Sequence, residues 1–338
     1  PGDWPSIGSV VHNAVRPRSD LPSSVVLPHI LVHRTGRVIP GQFGGMMGSH
    51  WDPFLVDAAS KCGTAYGACP DCFHHADGKF KHTLNPVFRA PNLTLPVGLD
   101  LHRVAGRLGL LETIERQQRH LAEFAQVKAM NRHRERAISL LANAKVQKAF
   151  DVRNASDRTQ DRYGKNQFGW SLMMARRLVA EGVSLVQVNL GNNETWDTHQ
   201  AAFPNFKDHL FPPFDRALSA LIEDLDQRGM LESTLIVVAG EFGRTPKIFK
   251  IPGAKLAGRD HWGAVQSVLF AGGGVRGGHV IGSSDRMGGH PATDPQTPEN
   301  MAATMYDALG IAREAHWDDS FDRPHAIYHG DPIPGLLV

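Results

Sequence analysis

Beyond residue 165 two hydrophobic periods take turns along the chain, one near 3.6 residues and one of 2. A chain patterned that way must wrap helices around a mainly parallel sheet. Residues Gln167–Glu181 carry Leu172, Ala175, Leu178 and Val179 on one helical face, and Gly182 supplies the stop. Val183–Leu190 follows as a strand. It sets Val183 and Leu185 against Val186 and Val188, so both faces are apolar and both need cover. Pro213–Arg228 carries the strongest helical stripe: Phe214, Ala217, Leu218, Leu221, Ile222 and Leu225. Glu223, Asp224, Asp226 and Gln227 are expected to face water. Pro212 and Pro213 suit the first turn of that helix and Gly229 its end. Thr234–Ala239 and Ser267–Ala271 read as further buried strands, and Pro298–Leu309 as a late helix. The predicted fold class is therefore α/β, a mainly parallel, doubly wound sheet flanked by helices.

The first 160 residues follow another pattern. Residues 1–100 are rich in Gly, Pro and His, with turn signals every few positions, and Val25–Val32 is the clear strand among them. Leu108, Leu111, Ile114, Leu121, Phe124 and Val127 recur at helical spacing, and a second helix is expected from Asn131 to Phe150. We expect one domain over 1–338 with a helical and loop excursion at about 40–160. With 41% apolar and 21% charged residues, the composition is that of a globular chain. Its 36 basic and 34 acidic residues leave +2, so nothing calls for a nucleic acid or an anionic membrane as partner. The apolar runs Leu235–Ala239 and Val265–Ala271 fall far short of the ~20 residues of a membrane span. The chain opens Pro1-Gly2-Asp3 without methionine, and we expect a processed or shortened product.

The chemistry is expected beyond the carboxyl ends of the strands, where open α/β sheets gather their functional groups. Asn192–His199 follows the strand at 183–190 and contains Trp196-Asp197-Thr198-His199. Gly240-Glu241-Phe242-Gly243-Arg244-Thr245-Pro246 follows the strand at 234–239, and Gly258-Arg259-Asp260-His261-Trp262 lies in a later loop. Each residue alone has a plain alternative. Asp197 can cap a turn, Glu241 can pair with Arg244, and Asp260-His261 can be an exposed polar turn. Taken together at successive strand ends, Asp197, His199, Glu241, Asp260 and His261 make a candidate metal-ligand set. Mixed carboxylate and imidazole donors suit Zn, Mn or Fe, whereas carboxylates alone suit Ca or Mg. The 18 histidines fit this reading, although many are ordinary surface residues. Signatures of other chemistries are missing: no Gly-x-Ser-x-Gly elbow, no His-Glu-x-x-His and no Walker loop. Gly272–Gly278 is glycine-rich but reads as a turn after a strand.

Cys62, Cys69 and Cys72 lie within one short stretch, with His74 and His75 close behind. They allow a structural zinc site, a disulfide with one thiol left over, or reduced thiols without a role.

Several motifs together carry a family resemblance. They are Arg162–Gly169, Ala175–Val179, Gly182-Val183, Trp196-Asp-Thr-His199, Arg228–Leu231, Gly240–Pro246, Gly258–Trp262 and Ala271–Val275. The chain resembles, over essentially its whole length, the sulfatase-like family known as domain of unknown function 1501, which is similar to the alkaline phosphatase superfamily. The resemblance implies an alkaline phosphatase-like sheet that is incomplete at the amino terminus. It implies one divalent metal ion (Zn, Mn or Ca) on Asp197, His199 and His261. In a second metal site Glu241 would take the Asp position, but Phe242 stands where its next ligand belongs. The early Asp and the nucleophile would lie upstream of residue 1. Arg244 and Arg259 would clamp the anionic group of a substrate, or else form ion pairs with Glu241 or Asp260. The implied activity is hydrolysis of a sulfate or phosphate ester of a small molecule or glycan. An inactive metal-binding scaffold and a phosphomutase-like transferase are the alternatives on the same fold. The resemblance also implies an exported location.

Overall fold

A computed structural model describes residues 3–19, 21–33, 35–58, 144–191 and 195–337, together with a few isolated positions between 67 and 106. The three cysteines, and the expected helices upstream of residue 144, lie outside the described residues.

The described residues form a mixed α/β arrangement around a three-stranded parallel sheet flanked by helices. Its strands are β1 (Ser24–Leu27), β2 (Phe54–Leu55) and β3 (Leu185–Val188), in the order β2-β1-β3. The register pairs Val25 with Phe54 on one side of β1 and with Val186 on the other. β1 is shorter than its apolar run because Pro28 fixes φ and has no N–H to continue the ladder.

The alternation of β3 sorts its side chains between two cores. Val186 and Val188 pack on the larger core, with Met173, Met174 and Leu178 of one helix and Ala217, Leu221 and Leu225 of another. Leu185 packs on the smaller core with Val10, Val11, Tyr306, Trp317 and Ile327. Helix α1 (Ile7–Ala14) supplies Val10 and Val11, and Ser6 caps its first turn.

Helices α2 (Ala144–Phe150) and α3 (Asp157–Tyr163) lead into α4 (Gln167–Ala180), the most buried helix described. Asn166 caps α4 through Phe168 and Gly169 N–H, and Gly182 takes the left-handed φ of +97° after its end. The next helix, α5 (Phe211–Gln227), follows a π-helical stretch, Asn205–Leu210. Its apolar stripe packs as expected, with Ala217, Leu218, Leu221 and Leu225 buried.

Asp224 is a correction: it is buried, not turned to water. Tyr163 Oη donates to Asp224 Oδ2 at 2.9 Å, and Arg228 Nε donates to Oδ1 at 2.7 Å. Arg176 Nε lies 2.9 Å from Oδ2, an ion-pair distance, though off the line of a hydrogen bond.

The expected parallel sheet does not extend through the later strands among the described residues. β4 (Ile236–Val238) pairs antiparallel with β7 (Leu269–Ala271), and both are at most half-buried. Between them lie only the short antiparallel strands β5 (Gly243–Arg244) and β6 (His261–Trp262), with no helix. A parallel return needs a crossover that carries the chain back to the starting end. Without one, the chain re-enters from the end it left and runs backwards. Helix α6 (Pro298–Ala308) starts with a Thr297–Asn300 capping box, and a hairpin of β8 (His316–Asp318) and β9 (Pro324–Ala326) follows. Among the described residues no helix is long and apolar enough to cross a membrane.

Candidate metal centre

Three of the five candidate ligands, Asp197, His199 and His261, meet beyond the carboxyl end of β3. Leaving that strand, the chain turns at Trp196, whose indole N–H donates to Leu190 O. Its ring lies between Phe168, Phe206, Phe211 and Phe214, with centroids 6.0–6.2 Å away. This aromatic anchor fixes the backbone of Asp197, the next residue.

The second and third loops arrive as a ladder. β5 and β6 pair Gly243 with Trp262 and Arg244 with His261. A side chain at Gly243 would run into the carbonyl of Val265, so the close approach of the chain just beyond β6 needs glycine there. Arg244 and His261 are therefore cross-strand neighbours, and both reach Asp197 Oδ1. Arg244 Nη2 donates to it at 2.7 Å, and His261 Nε2 lies 2.9 Å away. His199 Nε2 lies 3.1 Å from the same oxygen.

One donor atom from each of Asp197, His199 and His261 falls within 4.8 Å of the others, a grouping that could hold a metal ion. The Asp197 carboxyl is held below its ordinary value. Burial is the largest single influence and pushes it up. Hydrogen bonds from His261 and Arg244, with the charges of Arg244 and His199, together outweigh it.

The other expected residues sit around this group. Asp260 Oδ1 lies 3.3 Å from His199 Nδ1, behind the imidazole rather than in the converging set. Phe242 packs on the His261 ring with centroids 4.4 Å apart, so it walls the site on that side. Glu241 is exposed and outside the group. Both arginines have partners in the protein. Arg244 also donates to Trp196 O at 3.1 Å and to Arg259 O at 3.3 Å. Arg259 donates to Thr245 O at 2.6 Å and to Arg244 O at 3.1 Å. Neither pairs with Glu241 or Asp260 across the described contacts; they brace loop carbonyls, and Arg244 also pairs with Asp197.

Two supports were not read from the sequence. One is the aromatic nest of Trp196; the tryptophan directly before Asp197 was its only local signal. The other is Gly258, where a Cβ would overlap the His199 carbonyl. That glycine lets the Arg259–His261 segment lie against the His199 loop.

The family model described as "Protein of unknown function (DUF1501)" matches residues 1–337. The chain belongs to this family. No curated protein and no solved structure matches it. The family's description names no reaction, so any chemistry assigned to this member has to come from the loops just described.

Proposed function

We propose that this member of the family is a metal-dependent hydrolase of sulfate or phosphate esters, carried on an alkaline phosphatase-like sheet. The observation that carries the reading is the convergence of Asp197 and His199 from one loop and His261 from another, with a donor atom of each within 4.8 Å of the others. The donor set is one carboxylate and two imidazoles, which suits a borderline cation such as Zn²⁺ or Mn²⁺. The spacing is compatible as well. Tetrahedral ligands at about 2.0–2.2 Å from a metal stand roughly 3.3–3.6 Å from each other. The two imidazoles lie 2.9 and 3.1 Å from Asp197 Oδ1, and the three donor atoms lie within 4.8 Å of one another, so seating an ion would lengthen the two Asp197 contacts by about 0.2–0.7 Å.

A divalent ion at this point supplies positive charge for the ester oxygens as negative charge develops on them. The protein's part is to hold its ligands. Asp260 behind His199 Nδ1 favours the proton there and leaves Nε2 free to ligate, the usual carboxylate–histidine support. Arg244 fixes the rotamer of Asp197, and Phe242 limits the swing of the His261 ring. Substrates of this reading are small-molecule or glycan esters.

A second reading has its own support. Phe242 lies against His261 and Glu241 lies outside the group, an arrangement that favours a single cation and fits a metal-binding module without turnover. Metal analysis after dialysis separates the possibilities, together with assays of the full-length protein on 4-nitrophenyl sulfate and phosphate. The hydrolase reading expects about one equivalent of divalent ion, turnover of one ester, and loss of both in Asp197→Ala and His261→Ala. Bound metal without turnover supports the module. Undiminished metal in both variants refutes the centre itself.

A further inference from the structure

Outside the candidate metal centre, an open surface cleft of about 440 Å³ is lined by Trp4, Thr297, Glu299 and His329. That volume lies in the range of small-ligand sites. Trp4 is 55% exposed, yet it is held firmly. Its ring makes perpendicular contacts with Trp317, His325 and His329, with centroids 5.8, 5.8 and 6.2 Å away. Beneath it Trp317 and His325 stack at 4.3 Å, and His325 Nε2 lies 3.2 Å from the buried carboxylate of Asp319. The backbone on either side is fixed too: Asp3 O accepts from Met46 N at 2.9 Å, Asp3 Oδ2 accepts from Gly41 N at 2.5 Å, and Ser6 N donates to Phe43 O at 2.9 Å.

The opposite wall is equally rigid. The Thr297–Asn300 capping box sets the start of α6, and Asn300 Nδ2 donates to Asp331 O at 2.9 Å. Gly330 lies so close to Glu299 that a Cβ there would stand 3.1 Å from its backbone.

We propose that this cleft is a subsite for a neutral pyranose ring of a glycan. Three features of the lining point to that chemistry. One broad indole is presented to the cleft, which suits the apolar face of a sugar ring better than an apolar ligand that needs cover on all sides. Glu299 offers carboxylate acceptors and His329 an imidazole donor or acceptor beside it, the mixture that vicinal hydroxyls require, while the Thr297 hydroxyl is engaged with Asn300. The carboxylate of Glu299 disfavours anionic rings, so the sugar bound here carries no sulfate or phosphate. An organic ammonium is served less well, since a single exposed aromatic surface without a surrounding cage gives little grip. Rigid walls favour binding because little side-chain freedom is lost when the ligand arrives. The subsite goes beyond the hydrolase reading and does not depend on it.

The test is titration of the intact protein with cellobiose, lactose and N,N′-diacetylchitobiose, followed by tryptophan fluorescence and saturation-transfer NMR. Tetramethylammonium chloride serves as the cation probe. At least one disaccharide should saturate. Trp4→Ala should weaken it by about tenfold or more, the loss typical of a removed aromatic anchor. Trp4→Phe, which keeps a platform, should retain most of the binding and guards against a folding artefact. Glu299→Gln should weaken the same sugar, and bound metal should be unchanged in all three variants. No saturation by any of the disaccharides, saturation by tetramethylammonium alone, or equal sugar affinity in Trp4→Ala each overturns the proposal.

Discussion

Removing the carboxylate of Asp224 should destabilise the protein more than removing any ion pair at its surface. Asp224 and Arg176 have side chains only 8% and 9% exposed, so the pair lies in a region of weak screening. Asp224→Ala would leave the Arg176 guanidinium buried without its counter-charge, and would take the acceptor from Tyr163 Oη. Breaking a buried pair from one side costs about 3–5 kcal/mol. For a chain of 338 residues the entropy of unfolding is roughly 0.7 kcal/mol/K, so the melting temperature should fall by about 4–7 °C. Arg228 is the control. Its side chain is 50% exposed, and Arg228→Ala should cost at most about 1 kcal/mol. The double variant Asp224→Leu with Arg176→Met removes both charges and should recover much of the loss, since apolar replacement of a buried pair is often neutral. The acid limb offers a second check. Burial acts most strongly on the Asp224 carboxyl and pushes it up. Hydrogen bonds from Arg228 and Tyr163, with the charges of Arg176 and Arg228, prevail and leave it depressed. A depressed carboxyl stabilises fully above its unfolded value near 3.9 and loses that contribution as pH falls through the folded value. The wild type should therefore lose its advantage over Asp224→Asn as pH drops below about 4. A melting shift under 1 °C for Asp224→Ala, or strict additivity in the double variant, would show that the pair is not what holds α4 to α5.

Two further outcomes follow from close contacts elsewhere. Gly258→Ala should push the Arg259–His261 segment away from the His199 carbonyl and weaken metal binding by about 10–100-fold, the range for disturbed support around a ligand; calorimetric titration of Zn²⁺ reads this, and unchanged affinity would detach that contact from the site. The Asp319 carboxyl is held well below its ordinary value, chiefly by the Arg323 hydrogen bond, with burial opposing and His325 and two backbone N–H groups assisting. By the same sign rule Asp319→Asn should melt earlier than wild type at pH 7, with the gap closing as pH falls through the folded value; a gap that widens in acid would contradict this.

What the sequence revealed and concealed follows one physical divide. Helices α4 and α5 and strand β3 were legible because burial of a periodic apolar face leaves a periodic trace, and Gly182 marks its stop through a positive φ. The pairing of Ile236–Val238 with Leu269–Ala271 was not, because antiparallel and parallel strands share one hydrophobic pattern. Direction is set by the connection, and the absence of a helix between 239 and 268 was the usable clue. Asp224 could have been read differently. It lies three residues after Leu221 and seven after Ala217, on the stripe itself, and Arg228 follows four residues later. The charge of Asp224 points to the surface and its place on the stripe to the core, and the place decides. At the site, Asp197, His199 and His261 were legible as residue types at strand ends. That Asp260 stands behind His199, and that Arg259 braces two carbonyls, depends on where loop backbones cross, which no local period encodes.

Those braces bear on how the group could hold a cation. Oδ1 of Asp197 faces one permanent positive charge and two imidazole nitrogens at once. A bound cation must share that oxygen with Arg244, at a cost in repulsion, so affinity should be lower than for a carboxylate held by neutral donors. Arg244 is not free to leave, because its other donors hold Trp196 O and Arg259 O and thereby join the Asp197 loop to the strand pair carrying His261. The arginine would thus weaken the electrostatics of a bound ion and secure the geometry in which both imidazoles could reach it. Since the imidazoles come from different loops, their alignment is an entropic problem before it is an electrostatic one. A guanidinium that ties the loops together in advance reduces what the ion has to organise.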